Sequence, residues 1–417
     1  MEKIQEFSRI KFRIKDVVYE GIVMPRTLYE DEDHFTVKLK NGYNIGVEKS
    51  KIEILEAEPP KILSEQPYEK GFESAGPKIL ILGTGGTISS KVDYRTGAVK
   101  PAFTASQIVD MVPELKNLAS ISVKTIMNEL SENMQPLNWT LMAREVYDAF
   151  KDGYEGVVIA HGTDTMHYSA SAISFAIENP SGPVVFVGSQ RSSDRPSSDA
   201  ATNLLGAAIF AAKSHSPGVY VAMHASMDDD LIAIHKGVKV RKNHTSRRDA
   251  FKSINAKPFA YVDVKNLQIK FSEKKTEVEG PMNIYEKFSE RAALLKFYPG
   301  ISEKLLSSVF NKELFDAITI EGTGLGHVSR KAFPYIKDYI NKGGFVGMTS
   351  QCIWGSVRLT VYETGRDLLS MGVIPLEDML SEVALVKSMW VIGNGLDLKV
   401  TMPKNLRGEI SERREAL

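Results

Sequence analysis

From Lys78 onward the chain alternates between short, unbroken apolar runs and longer stretches with helical spacing. KILILG precedes TASQIVDMVPEL, VVIAHG precedes MHYSASAISFAIEN, and VVFVGS precedes DAATNLLGAAIFAAK; VYVAMH and LIAIH follow. A run that is apolar at every position suits a strand buried on both sides, and the helix after it must cover one of those faces. The alternation therefore predicts an α/β fold, a parallel sheet with helices on both faces. Sheets of this kind bind ligands outside the carboxyl ends of their strands, so function is to be sought in the residues at each strand exit.

The rest of the chain divides around this block. Residues 1–60 contain IKFRIKDVVYEGIVM, HFTVKLKNGYNIGVE and KIEILE, short runs with alternating apolar residues and an Asn41-Gly42 hairpin signal. They predict a small antiparallel barrel of the SH3-like kind. Residues 61–77 are a Pro-, Gly-, Ser- and Glu-bearing linker, 78–275 the larger α/β domain, and 276–289 a second polar linker. Residues 290–417 repeat the α/β style in ALLKFY, AITIEG, FVGMTS and the long PLEDMLSEVALVKSMW, and form a smaller α/β domain whose tail, NLRGEISERREAL, reads as a short solvated helix.

Bulk properties exclude some functions. Lys+Arg and Asp+Glu each number 52, so the formal net charge is zero. That opposes a broad basic face gripping nucleic acid, though not a partner protein that does so. With Cys352 as its single cysteine the chain forms no internal disulfide. The opening MEKIQEFSRIKFRIKD lacks the apolar stretch of a signal peptide, and no apolar run reaches the roughly 18 residues of a membrane span. A soluble cytoplasmic protein is expected.

Two strands end alike, KILILGTGGTI and GVVIAHGTDT. The first is no dinucleotide fingerprint: Gly83 and Gly85 fit G-x-G-x-x-G, but Ile88 holds the third glycine's place. A phosphate loop needs G-K-[ST], and no lysine follows these glycines. A catalytic turn remains, in which glycines bring amide N–H groups close to a ligand and Thr87 presents a hydroxyl. A helix cap fits that threonine equally well. Thr163 and Asp164 at the second exit are also favoured cap residues. The cation-dense VKVRKNHTSRRDAF (238–251) follows LIAIH directly, which would put it at another strand exit. A lysine from it beside Thr163 and Asp164 would form Thr–Lys–Asp, with the amine taking the hydroxyl proton. Cys352 reads as a small buried residue after a strand. The chain contains no G-x-S-x-G elbow, and its histidines show no metal-ligand spacing.

Together these motifs resemble the bacterial-type L-asparaginases from residue 78 to about 400, with TGGTI (84–88) and HGTDT (161–165) as the signature pair. The resemblance implies an L-asparaginase-like two-domain α/β fold and amide hydrolysis. It implies Thr87 as nucleophile, Tyr94 on a lid loop (91–103) as its activator, and Thr163, Lys242 and Asp164 as the Thr–Lys–Asp set. It further implies that Ser131 holds the substrate's α-carboxylate, that Asp164 and Glu132 meet its α-ammonium, and that amides around Gly86 and Thr163 face the oxyanion. Two positions depart from the pattern: Glu132 stands where asparaginases commonly carry Gln, and His327 in GTGLGH (322–327) replaces an Asn. The module before residue 78 and the phrase GSQRSSDRPSSDAATNL (188–204) resemble the D subunits of archaeal glutamyl-tRNA(Gln) amidotransferases. That resemblance implies a glutaminase acting on L-glutamine, in a homodimer within a heterotetramer. Its ammonia would pass to an E subunit that binds tRNA. No cofactor is expected in the chain itself, with ATP and magnesium in the partner and no membrane contact. The alternative is a free-standing L-asparaginase.

Overall fold

In the computed structural model the described residues are 8–23, 33–39, 44–58, 76–85, 90–93, 98–101, 112–191, 198–275 and 277–411. The N-terminal strands β1 (Arg9–Ile14), β2 (Val17–Val23), β3 (His34–Leu39), β4 (Asn44–Glu48) and β5 (Glu53–Glu58) form one antiparallel sheet in the order β4-β3-β2-β1-β5. Alternation puts Ile10 and Phe12 inward, where they join Val23, Val37 and Val47 in a small separate core. The Asn41-Gly42 turn lies outside the described residues; β3 and β4 pair antiparallel on either side of it, from Lys38↔Asn44. Residues 59–75, most of the expected linker, also lie outside.

The larger domain begins with β6 (Lys78–Gly83) and a hairpin of β7 (Ser90–Asp93) with β8 (Ala98–Pro101). Then come β9 (Ser120–Thr125), α1 (Pro136–Lys151), β10 (Gly156–Ala160), α2 (Met166–Ala176), β11 (Ile177–Glu178), β12 (Pro183–Val187), α3 (Ala200–Lys213) and β13 (Gly218–His224). β14 (Leu231–Lys236), β15 (Val240–Lys242), β16 (Phe251–Ser253), β17 (Ala260–Asp263) and β18 (Gln268–Phe271) complete it. The main sheet has the order β18-β17-β14-β13-β12-β10-β6-β9. From β9 to β13 every pairing is parallel, as expected. β14, β17 and β18 are antiparallel, which the expectation of a parallel sheet missed. The reason is loop length: residues 225–230 are too few for a crossover, which needs a dozen or more. α1 and α2 cover one face with Trp139, Val146, Ile173 and Phe175, and α3 covers the other with Leu204, Ala208 and Phe210. The helix expected in TASQIVDMVPEL falls mostly outside the described residues; Pro113–Asn117 at its end is a 3-10 turn.

β19 (Asn283–Ile284) pairs with β11, so the second linker is stitched to the larger domain. The smaller domain runs β20 (Ala292–Lys296), α4 (Glu303–Val309), β21 (Ala317–Gly322), α5 (Phe333–Asn341), β22 (Phe345–Ser350), α6 (Glu363–Ser370), β23 (Ile374–Pro375) and α7 (Ser381–Gly393), with a parallel sheet β20-β21-β22-β23. α7 lies between this sheet and α2. Its Val383, Ala384 and Trp390 share one apolar core with Phe175 of α2 and with Ala317 and Phe345 of the small sheet. Phe175 and Trp390 stack at 5.7 Å. The tail departs from expectation. Asn405–Ser411 is no solvated helix, because fully buried Glu409 accepts from Lys387 Nζ at 2.6 Å and from the amides of Leu406 and Arg407. An ammonium buried this deeply needs such partners, and Lys387 also donates to the carbonyls of Met402 and Lys404. Among the described residues no helix is long and apolar enough to cross a membrane.

Candidate active site

β6 and β10 are parallel neighbours with Gly83 opposite Ala160, so TGGTI and HGTDT leave the sheet side by side. Thr84 ties the exits together, its amide and its hydroxyl both donating to the Ala160 carbonyl at 3.0 and 2.9 Å. Gly85 must be glycine: its φ is +104°, and a Cβ would stand 2.5 Å from the Glu129 carbonyl oxygen. Gly86, Thr87 and Tyr94 lie outside the described residues. The expected lid is the β7–β8 hairpin, with Tyr94 in the part not described.

At the second exit the structure removes the helix-cap reading of Thr163 and Asp164. The N-cap of α2 is Thr165, so Thr163 and Asp164 precede it. Instead of capping, both meet one lysine. Lys242 Nζ donates to Thr163 Oγ1 at 2.8 Å and to Asp164 Oδ1 at 2.7 Å. Thr163 is 4% exposed and the Lys242 side chain 9%, whereas the Asp164 side chain is 70% exposed. The pair is thus shielded while the carboxylate faces outward. The floor beneath Thr163 is Gly188, where a Cβ would lie 2.8 Å from Thr163 Cγ2 and 2.8 Å from the His161 carbonyl oxygen. Ser131 is buried in the 3-10 turn Ser131–Asn133, and Thr165 Oγ1 donates to its carbonyl at 2.5 Å. Neighbouring Glu132 is exposed.

Lys242 arrives by a route the sequence did not suggest. β14 is antiparallel to β13, so its exit lies at the far edge of the sheet from HGTDT. The chain turns at Gly237, packed so closely on α2 that a Cβ would meet Ser174 Oγ at 2.8 Å, and β15 carries Lys242 back to the site. The surrounding cations are engaged by acids: Arg241 with Glu382, Arg247 with Asp249 and Arg248 with Asp229.

Sequence reasoning also missed the support behind the turn. Trp139 Nε1 donates to Ser169 Oγ at 3.0 Å, and Ser169 Oγ lies 2.9 Å from His161 Nε2. The serine therefore donates to Nε2, which leaves the proton on Nδ1 to reach the Gly162 carbonyl at 2.7 Å. Burial pushes His161 down to about 4, so the ring is neutral in this role. His167 is pushed down to about 3, by burial first and then by the Arg241 and Lys242 cations. Asp199 is fully buried and accepts from the amides of Gln190 and Arg191 and from Asn203 Nδ2, holding the GSQR stretch. His161 heads the HGTDT motif, and its position was the only available signal. Cys352, expected to be buried, is exposed beyond β22. Among the described residues no cluster of His, Cys, Asp or Glu could hold a metal ion.

Residues 78–277 match the asparaginase N-terminal domain family and residues 291–401 the glutaminase/asparaginase C-terminal domain family. Residues 4–55 match the GatD N-terminal domain. The D subunit of the glutamyl-tRNA(Gln) amidotransferase of Thermofilum pendens is 45% identical, over 98% of this chain and 94% of that protein. Its namesake from Pyrococcus furiosus is 48% identical, over 98% and 95%. The chain belongs to the D-subunit family of glutamyl-tRNA(Gln) amidotransferases. Its fold is that of the L-asparaginases. The thermostable L-asparaginase of Thermococcus kodakarensis superposes with a TM-score of 0.72 at 36% identity, covering 81% of this chain and 100% of that one. L-asparaginase I of Vibrio cholerae gives a TM-score of 0.70 at 28% identity, covering 81% of this chain and 100% of that one. This chain therefore has an asparaginase-type body, preceded by the N-terminal antiparallel sheet.

Proposed function

We propose that this chain is the glutaminase component of a tRNA-dependent amidotransferase that converts Glu-tRNA(Gln) to Gln-tRNA(Gln). The observation that carries the reading is the single Lys242 ammonium bonded to both Thr163 Oγ1 and Asp164 Oδ1 beside the TGGTI exit. L-glutamine docks with its α-carboxylate at Ser131 and its α-ammonium at Asp164 and Glu132. Thr87 Oγ attacks the side-chain amide carbon, with Tyr94 and the Lys242 network moving its proton. Amide N–H groups around Gly86 and Thr163 stabilise the oxyanion, each donor being worth about 10²–10³ in rate. The C–N bond breaks and ammonia leaves. Water activated at Thr163–Lys242–Asp164 then cleaves the acyl-threonine ester to release glutamate and free the hydroxyl.

In this reading the ammonia goes to a partner, the E subunit, which binds the tRNA and supplies the ATP and magnesium chemistry, and this chain needs no cofactor of its own. The assembly is a homodimer within a heterotetramer. The alternative, a free-standing L-asparaginase, draws on the match to the whole Thermococcus enzyme. The N-terminal sheet matching the GatD N-terminal domain favours the amidotransferase. Initial rates on glutamine and asparagine, measured with and without the partner and glutamyl-tRNA, test the proposal. Glutamate production and transfer of ammonia to the tRNA are expected. Asparagine as the preferred substrate, with no stable partner on purification, would overturn it.

A further inference from the structure

Among the described residues β15, a three-residue strand, pairs only with β16, of the same length, in a two-stranded sheet. A ribbon this short is marginal by itself, yet it carries the amine that the site needs in register with Thr163. Alternate residues along an extended chain point to opposite sides. Lys242 faces Thr163 and Asp164, while Arg241 and Lys239 turn to the smaller domain. Lys239 Nζ meets Asp378 Oδ2 at 2.6 Å, with side chains 5% and 7% exposed. Arg241 Nε meets Glu382 Oε1 at 2.6 Å, and Glu382 is buried. Asp378 is itself held, accepting from the Ser411 amide and hydroxyl at 2.8 and 2.6 Å. Glu382 lies in the first turn of α7 beside Ser381, whose one hydroxyl proton goes to the nearer Glu321 Oε1 at 2.5 Å.

We propose that Glu382, with Asp378 as a second pin, is a positioning residue that sets Lys242 against Thr163 by gripping the back of β15 through Arg241. The catalytic apparatus of the larger domain is thereby held by the smaller domain of the same chain. A change in the seating of α7 would be felt at the lysine without touching substrate. The kinetic half of this inference rests on the glutaminase reading; the structural half does not.

The experiment compares wild type with Glu382→Gln, which keeps the shape and removes the charge. Competitive acetylation, read by peptide mass spectrometry, reports Lys242 directly, with exposed Lys270 as the internal reference. Labelling of Lys242 is expected to rise several-fold in the variant. Its kcat for glutamine should fall about 10- to 100-fold with KM changed far less, as a misplaced group implies. The pH profile of kcat should also shift. The paired reversal, Arg241→Glu with Glu382→Arg, should recover part of both losses. Unchanged Lys242 labelling overturns the inference, whatever the kinetics. A kcat loss that only follows the folded fraction measured by circular dichroism overturns it too. Raised labelling in a protein whose wild type hydrolyses no glutamine sustains the positioning role and rejects the activity reading instead.

Discussion

Gly188→Ala is the sharpest probe of the site because the new methyl would press first on the turn that carries Thr163. It would stand 2.8 Å from Thr163 Cγ2 and 2.8 Å from the His161 carbonyl oxygen, with Met166 Cε next at 3.7 Å. Non-bonded carbons settle at about 3.5–4.0 Å, so Thr163 must retreat by roughly 1 Å. A displacement of that size costs on the order of 10² in kcat. Overpacking costs a further ~1–3 kcal/mol of stability. Gly206→Ala provides the comparison: its Cβ would meet Ile232 Cγ1 at 2.5 Å on the opposite face of the sheet. That variant should lose similar stability and keep its kcat. Glutamine hydrolysis at saturating substrate, normalised to folded protein, is measured beside thermal melting. Equal kcat in the two variants would refute the assignment of Thr163's turn as the seat of the chemistry.

Thr163→Val and Lys242→Met should each lower kcat by about 10²–10⁴. The double variant should be little worse than either alone, since groups acting as a unit give non-additive losses; additive losses would separate their roles. Burial pushes His161 down to about 4 and His167 and His235 down to about 3, so the folded chain refuses protons that the unfolded chain accepts near 6.5. Their contribution is complete above that value and is lost as pH falls, each costing about 2 kcal/mol by pH 5. Urea midpoints should drop from pH 7.5 to pH 5, and drop less in His235→Asn; pH-independent midpoints would contradict this. Lys387→Met leaves the Glu409 carboxylate buried without its cation and should cost about 3–5 kcal/mol in denaturant titration. Adding Glu409→Gln should restore most of it.

Strand–helix alternation was legible because burial on both faces of a strand and one face of a helix leaves its period in the side chains. TGGTI and HGTDT could be placed at strand exits for the same reason. The antiparallel turn of β14 was legible in principle, since six residues between VYVAMH and LIAIH cannot make a crossover. What misled was the assumption that the cations after LIAIH sit at the same edge as the threonines. The tail was misread because Glu409 looks like any solvated acid until its partner Lys387, 22 residues away, is brought against it. Cys352 went the other way: an apolar residue after a strand, left exposed because β22 ends before it.

The residue types at the two glycine-bearing turns left a helix cap and a catalytic turn both open, and it was the resemblance to the L-asparaginases, carried by TGGTI and HGTDT in that order, that pointed to a hydrolytic threonine site. Composition and pattern were enough to separate a small β module from an α/β body. Only the tertiary structure decided that Lys242 meets both Thr163 and Asp164, that a neutral His161 braces their turn, and that the smaller domain holds the lysine's strand. Those contacts join positions 78 or more residues apart in the Lys242 case. They depend on how packed layers direct the chain, and local side-chain periodicity carries no record of that direction.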